Sequence, residues 1–126
     1  MKVFDPIRKQ YVELTPEEQV RQYCINVLTK QFGYPKSAIA VEWQINLNSM
    51  TRRFDILVYD KALKPFLLVE CKRKEVKLTQ QTVDQVVSYN FAIQAPYIMI
   101  TNSLTTYLIE YKDGEYAFLD TLPAYR

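Results

Sequence analysis

One uninterrupted apolar segment, residues 65–69, most constrains what this chain can fold into. The run PFLLV contains no polar residue, and apolar runs of this kind are typical of strands in the centre of a sheet. Two strand-like runs precede it, residues 39–47 (IAVEWQINL) and 52–59, and Asn48-Ser49 between them predicts a hairpin. The sequence therefore predicts three neighbouring strands, of which the third ends at about Lys72.

A helix is predicted before these strands. Thr15 can cap its first turn, Pro16 suits the first helical position, and Glu18 completes a capping box. Apolar residues then recur at helical spacing as far as Phe32, and Gly33 is typical of a C-terminal stop. One face of this helix is therefore expected to pack on the core.

A second helix is predicted from Thr79, which can cap it, to about Ala95. Three strands follow, at 97–101, 105–111 and 115–120, and Asp113-Gly114 predicts a tight turn between the last two. The second helix would then be a crossover within one sheet. The order of helix, three strands, helix, strand and C-terminal hairpin predicts an α/β or α+β fold.

Length and composition bound the class of protein. With 126 residues, 48% of them hydrophobic, the chain is expected to form one domain over 1–126, in which 1–14 are an N-terminal extension. No apolar stretch approaches the roughly 20 residues of a membrane span. The start MKVFDPIRKQ lacks the apolar core of a secretory signal. These features predict a cytoplasmic protein without a membrane partner.

The absence of histidine excludes many catalytic mechanisms. Ser-His-Asp and Cys-His nucleophilic systems and histidine-based zinc hydrolases are ruled out. Gly33 and Gly114 are the only glycines, which are too few for a Walker loop or a dinucleotide-binding turn. Cys24 and Cys71 are expected to be buried thiols. Chemistry is left to carboxylates, lysines, tyrosines and thiols, while a net charge of +2 does not decide whether nucleic acid is a partner.

Two acidic residues and a lysine form a candidate site. Because side chains alternate along a strand, Glu70 and Lys72 lie on the same side of the third strand. If the second and third strands pair as a hairpin centred between residues 62 and 63, Asp55 lies opposite Glu70. Facing carboxylates repel, and a divalent cation such as Mg²⁺ or Mn²⁺ would relieve that repulsion. With Lys72 beside them, the pattern indicates phosphodiester chemistry, whereas an E-x-K tripeptide alone is more typical of a salt bridge.

Three motifs occur in order along the chain: Arg53-Phe54-Asp55-Ile56, Val69-Glu70-Cys71-Lys72 and Gln85-Val86-Val87-Ser88-Tyr89. Together they resemble the PD-(D/E)xK nuclease superfamily. Within it, the chain looks like the N-terminal domain of type I restriction enzyme R subunits and its small stand-alone relatives. The likeness spans about residues 16–111. It implies a restriction-endonuclease-like mixed β-sheet flanked by helices.

The resemblance implies a metal-dependent DNA nuclease and assigns roles at the candidate site. Asp55, Glu70 and the backbone carbonyl of Cys71 would ligate Mg²⁺ or Mn²⁺. Lys72 would serve the attacking water. The metal would offset charge that develops in the transition state.

Helical residues would complete the site. Gln85 and Tyr89 lie one helical turn apart, so they share a face and would support the site or touch DNA; an ordinary amphipathic boundary has the same spacing. Superfamily members often add an acidic residue from the first helix, for which Glu18 is the first candidate and Glu17 the second. Glu18 could instead only close the helix, and Arg21 could pair with either glutamate.

A basic run, KRKEVK, follows the third strand. Arg73 and Lys74 in this run, together with Arg53, are assigned to DNA contacts, where they could hold phosphates. On composition alone such a run is a solvated loop. No base-reading motif is present, so cleavage is expected to be sequence-nonspecific unless motor or specificity subunits on other chains supply specificity, as the resemblance implies.

Two alternatives stay open at the level of sequence. One is a noncatalytic DNA-binding or assembly module that keeps the nuclease fold. The other is an enzyme of different phosphate or nucleotide chemistry that uses the same metal site. The C-terminal strands could also support a homodimer.

Overall fold

In the residues that the structure describes, 1–47 and 49–126, the chain forms a six-stranded sheet with a helix on each face. The structure is a computed structural model. Asn48, which the sequence places in the turn of the first large hairpin, lies outside the described residues. The elements are β1 (Lys2–Asp5), β2 (Gln10–Glu13), α1 (Pro16–Asn26), β3 (Ile39–Leu47), β4 (Met50–Tyr59), β5 (Pro65–Cys71), α2 (Gln80–Ile93), β6 (Tyr97–Thr101), β7 (Thr106–Lys112) and β8 (Glu115–Leu119).

The sheet is mixed and has β5 near its centre. Its order is β3-β4-β5-β6-β7-β8. Neighbouring strands are antiparallel except for β5 and β6, which are parallel and are joined through α2 as a crossover helix. Residues 66–69 are at most 1% exposed, because helices cover both faces at this point. The predicted fold class and the central position of the apolar segment are confirmed.

An apolar cluster lies on each face of the sheet. Successive residues of a strand point to opposite faces, so the central strands β4, β5 and β6 each contribute to both clusters. The cluster under α1 includes Cys24, Leu28, Ile56 and Val69, and the cluster under α2 includes Val83, Val86, Leu57 and Leu68.

The register between β4 and β5 determines which polar side chains meet. Ile56 lies opposite Val69, which is the register predicted from a hairpin centred between residues 62 and 63. The next positions along the two strands are Asp55 and Glu70. Beyond them β4 leaves β5 and continues to Met50 beside β3 alone. The two acidic residues therefore lie where a continuous sheet becomes a two-stranded ribbon.

The start of α1 departs in one respect from the predicted capping box. Thr15 caps the helix as expected, since its hydroxyl accepts from the Glu18 N–H at 3.1 Å. The Glu18 carboxylate, however, binds Arg8, Arg21 and Gln22 instead of returning to the cap.

The α-helix ends earlier than predicted, because Val27–Gln31 form a wider π-helical turn before Gly33. Gly33 adopts a φ of +70°, in agreement with a C-terminal stop.

The first 14 residues, expected only as an extension, form a β-hairpin. β1 and β2 pair antiparallel, with Val3 opposite Val12. The turn is held by the buried Asp5 carboxylate, which accepts from the backbone N–H groups of Ile7 and Arg8 at 2.7 and 2.8 Å. Sequence patterning missed this hairpin because its strands are four residues each and expose most of their side chains.

The C-terminal hairpin follows its turn chemistry. Asp113 and Gly114 have φ values of 53° and 80°, as the two central residues of a type I′ turn require. β7 and β8 begin and end within one residue of the predicted limits. Among the described residues, the longest helix is too short and too polar to cross a lipid bilayer.

Candidate active site

Asp55, Glu70 and Lys72 converge where β4 and β5 separate. The Lys72 Nζ atom lies 3.3 Å from Glu70 Oε2, so the expected same-side placement is observed. Asp55 Oδ2 accepts a hydrogen bond from the Cys71 N–H at 2.9 Å, which fixes this carboxylate against the end of β5. The Asp55 and Glu70 side chains are 16% and 17% exposed, so solvent can still reach both.

Glu70 is a partly buried carboxylate beside a second carboxylate, and this raises its pKa. Burial and the neighbouring Asp55 carboxylate raise the pKa of Glu70 to about 8, and Lys72 offsets only part of this effect. The protein therefore binds a proton where it would otherwise hold two adjacent negative charges. This arrangement fits a divalent cation, because carboxylate oxygens are the ligands that Mg²⁺ and Mn²⁺ prefer.

The backbone of Cys71 and its side chain face different surroundings. Its N–H binds Asp55, while its Sγ lies under α1, 3.6 Å from Cys24 Sγ. Both cysteines are buried free thiols, as predicted. The hydrogen bond with Cys24 and burial raise the pKa of the Cys71 thiol well above its ordinary value. The thiol is thus a core group, and only the peptide of Cys71 belongs to the site.

Arg21 is the largest addition that the structure makes to the site. Its Nη2 donates to Asp55 Oδ1 at 2.9 Å and its Nη1 donates to Glu18 Oε1 at 2.6 Å. Burial disfavours the charged guanidinium, but the hydrogen bond and charge of Asp55, together with the charges of Glu18 and Glu42, outweigh that cost, so the pKa of Arg21 is raised. The predicted pairing with Glu18 is confirmed. The contact with Asp55 spans 34 residues and had no local sequence signature.

Glu18, the acidic candidate from α1, belongs to an arginine network. Its Oε1 accepts from Arg21 and its Oε2 accepts from Arg8 at 2.8 Å. Within the described residues, no three histidine, cysteine, aspartate or glutamate side chains form a group that could hold a metal ion, so Glu18 does not join Asp55 and Glu70 in one. Its predicted role as a metal ligand finds no geometric support, and Glu17 is an exposed residue 3.8 Å from Arg73.

The comparisons with known proteins bear on the fold that holds this site. The family model of the type I restriction enzyme R protein N terminus (HSDR_N) matches residues 16–123. The chain belongs to this family. The match begins at the first residue of α1, so the β1–β2 hairpin precedes the matched region. No match was found among curated protein sequences.

Two solved structures resemble this HSDR_N domain. One is a fragment of a proposed HsdR subunit of a type I restriction enzyme from Vibrio vulnificus YJ016, with a TM-score of 0.64 and 20% identity over 88% of this chain. The present chain spans 24% of that chain. The other is a proposed nuclease belonging to DUF820 from Anabaena variabilis ATCC 29413, with a TM-score of 0.54 and 10% identity, covering 95% of this chain and 76% of that one. Both likenesses establish a nuclease-like fold.

Gln85 and Tyr89 of the HSDR_N domain lie on α2 at different depths. Gln85 is exposed and Tyr89 is half-buried, with its ring 6.1 Å from that of Phe54. Arg52 lies over the Tyr89 ring, 4.1 Å from its centroid, and contacts the hydroxyl. Neither residue hydrogen-bonds to Asp55 or Glu70 in the part of the chain that the structure describes. Tyr89 therefore braces the two-stranded ribbon, and the assignment of both residues to the site stays a prediction.

The residues assigned to DNA contacts are accessible. Arg53 and Arg73 are 60% and 51% exposed, and Lys74 is exposed. Arg53 forms a long, exposed ion pair with Glu42 at 4.0 Å, and Arg73 forms one with Glu17 at 3.8 Å. Pairs of this kind are weak in water, so the three cations stay available to phosphates.

Glu42, which is not among the candidate residues from sequence, borders the site. It interrupts β3 with a φ of 54° opposite Asp55, between the pairs that Val41 and Trp43 make. Its carboxylate lies 3.5 Å from both Arg8 and Arg21. A residue in this conformation leaves the regular strand, which no sequence pattern at Glu42 had indicated.

Proposed function

We propose that this HSDR_N domain is a Mg²⁺- or Mn²⁺-dependent DNA nuclease that hydrolyses phosphodiester bonds. The observation that supports it is the convergence of Asp55, Glu70 and Lys72, in which burial and the adjacent Asp55 carboxylate raise the pKa of Glu70 although Lys72 lies beside it. Fold likeness to a proposed nuclease agrees with it. Fold alone would not define an activity, so the proposal depends on the site.

Some residues of the site would bind the cation, and Lys72 would act on the attacking water or the phosphate. Asp55, Glu70 and the Cys71 carbonyl would hold the cation, which when bound would supply Lewis-acid stabilisation of the phosphate and a more acidic water. Lys72 would orient the attacking water, help to deprotonate it, or bind a phosphate oxygen. Its partner Glu70, whose carboxylate lies 3.3 Å from the ammonium, would keep that ammonium beside the bound phosphate.

Residues around the centre would bind the DNA. Gln85 and Tyr89 would support the site or touch DNA, while Arg53, Arg73 and Lys74 would hold phosphates. Because these contacts are made to the backbone, cleavage would not depend on base sequence. Motor or specificity subunits on other chains would supply specificity, as the similarity to a proposed HsdR subunit favours.

The edge strand β8, with Phe118 54% exposed, is the face that would pair two copies in a homodimer.

The proposal is tested by cleavage of supercoiled and linear DNA with Mg²⁺ or Mn²⁺. Wild-type protein should cleave both, and EDTA should abolish cleavage. Lys72→Ala should lower the rate by roughly 10²- to 10⁴-fold, as expected for loss of a proton-transfer group, and Asp55→Asn should act similarly. Lys64→Ala is the matched control, because Lys64 is an exposed lysine at the other end of the same β4–β5 hairpin.

Equal residual cleavage by wild type, Lys72→Ala and Asp55→Asn would show that the activity does not arise at this site. Retained DNA binding without cation-dependent cleavage would instead favour the noncatalytic binding module. Binding is measured separately in EDTA so that the two functions are distinguished.

A further inference from the structure

A continuous set of ion pairs connects the N-terminal hairpin to Asp55. Asp5, which is fully buried, binds Arg8 Nε at 2.7 Å, and Arg8 Nη2 binds Glu18 at 2.8 Å. Arg21 then binds both Glu18 and Asp55. Acidic and basic groups alternate along this path, which we call the arginine relay (Asp5, Arg8, Glu18, Arg21, Asp55).

The geometry of the arginine relay restricts Asp55 more than a single salt bridge would. Each guanidinium is planar and uses different nitrogen atoms for its two carboxylates within the relay, so the direction of one bond sets the direction of the other. Glu42, outside the relay, lies farther away, at 3.5 Å from both guanidinium groups. Glu18 and Arg21 are 5% and 9% exposed, so neither can rotate freely into solvent. Asp55 is held on its second oxygen by the Cys71 N–H. Its carboxylate plane is therefore fixed from both α1 and β5.

We propose that Arg21 and Arg8 are positioning residues, which orient the Asp55 carboxylate for a divalent cation and make the N-terminal hairpin a part of the site. The inference rests on the proposed function, since it assigns a cation to Asp55. It extends the site to residues before position 16, where the match to the HSDR_N family begins. Outer residues that orient metal ligands commonly change metal affinity by roughly 10- to 100-fold when they are removed.

Two effects of Arg21 on a cation oppose each other and can be separated. As a positive charge 2.9 Å from Asp55, Arg21 repels a cation, so its removal alone would strengthen binding. As a group that orients Asp55, Arg21 favours cation binding, so removal of Arg21 would weaken that binding. Arg21→Lys keeps the charge but loses the planar fork. Positioning predicts weaker binding for both Arg21→Lys and Arg21→Gln, whereas a pure charge effect predicts no change for the first and a gain for the second.

The test measures the Kd for Mn²⁺ by isothermal titration calorimetry on the full chain without DNA. We expect Arg21→Lys and Arg21→Gln to weaken binding by roughly 10- to 100-fold. Arg8→Gln should weaken it by a smaller factor, because Arg8 acts through Glu18. Lys2→Gln is the matched control, since Lys2 is an exposed cation on the same hairpin outside the relay.

Circular dichroism and thermal melts in EDTA verify that each variant is folded at the titration temperature. If Arg21→Gln unfolds, Arg21→Lys and Arg8→Gln still decide the question, because Arg8 is partly exposed and leaves Glu18 paired with Arg21. Wild-type Mn²⁺ affinity in both folded variants would overturn the inference while leaving the proposed function intact. Wild-type affinity in Asp55→Asn would instead remove the cation site itself, and with it the proposed function.

Discussion

Replacement of Glu70 by glutamine should stabilise the cation-free protein in a pH-dependent way. The pKa of Glu70 is about 8 in the folded chain against an ordinary value of 4.5, because of burial and the neighbouring Asp55. Between these values the folded state holds a proton that the unfolded state has lost. The free energy of unfolding of the wild type therefore falls as pH rises through this window. Glutamine does not titrate, so Glu70→Gln escapes this loss.

The magnitude follows from the width of the window. One pH unit with a full proton difference is worth about 1.4 kcal/mol. Across the interval from 4.5 to about 8 the ceiling is about 5 kcal/mol. The free energy of unfolding of Glu70→Gln should equal that of wild type below the window. The difference should then grow with pH and level off above the window.

The assay is urea denaturation in EDTA at several pH values for wild type, Glu70→Gln and a control, Glu115→Gln. Glu115 is an exposed glutamate on β8, remote from the site. Other titrating groups contribute equally to both proteins, so their contributions cancel in the difference in free energy of unfolding between Glu70→Gln and wild type. An advantage that is constant with pH, or one that the control reproduces, would refute the argument that Glu70 is destabilised by ionisation. Added Mg²⁺ above the window should stabilise wild type and not the variant.

Two further results are expected. Binding of Mn²⁺ at neutral pH should release close to one proton from Glu70 and fewer as pH rises past about 8, which calorimetry in buffers of different ionisation enthalpy measures; no proton release at neutral pH would argue that Glu70 is not a ligand. Arg53→Gln and Arg73→Gln should each lower the slope of log K for duplex DNA against log salt by about 0.9 if each residue neutralises one phosphate. Lys64→Ala serves as the control, and unchanged slopes would place DNA elsewhere.

The sequence predicted those elements whose structure is determined by a few neighbouring residues. The residues 65–69 are apolar at every position, so a central strand follows from composition over one short window. Asp113-Gly114 supplies the two positive φ angles of a type I′ turn. The register that brings Asp55 opposite Glu70 follows from counting across a short connection. Each of these depends on a few neighbouring residues, and each agrees with the structure.

The parts that sequence did not predict depend on how distant elements pack. Arg21 reaches Asp55 only because α1 lies across the face of β4 and β5, and no spacing rule relates positions 34 residues apart. Glu18 has the right position for a capping box, but two arginines compete for its carboxylate, and charge-assisted bonds win over a neutral backbone donor. The β1–β2 hairpin is similar, because Asp5 holds it through contacts that are invisible in the pattern of apolar residues.

The two carboxylates of the candidate site are therefore not equivalent. Asp55 receives donors from Arg21 and from the Cys71 N–H, whereas among the described residues Lys72 is the cation that contacts Glu70. Asp55 is thus held in place in the absence of a metal, while Glu70 has a raised pKa and would exchange a proton for the proposed cation. In the proposed metal site, Asp55 would fix the position of the cation, and Glu70 would couple cation binding to pH. This division explains why a variant at Arg21 is expected to change affinity, whereas a variant at Glu70 is expected to change stability with pH.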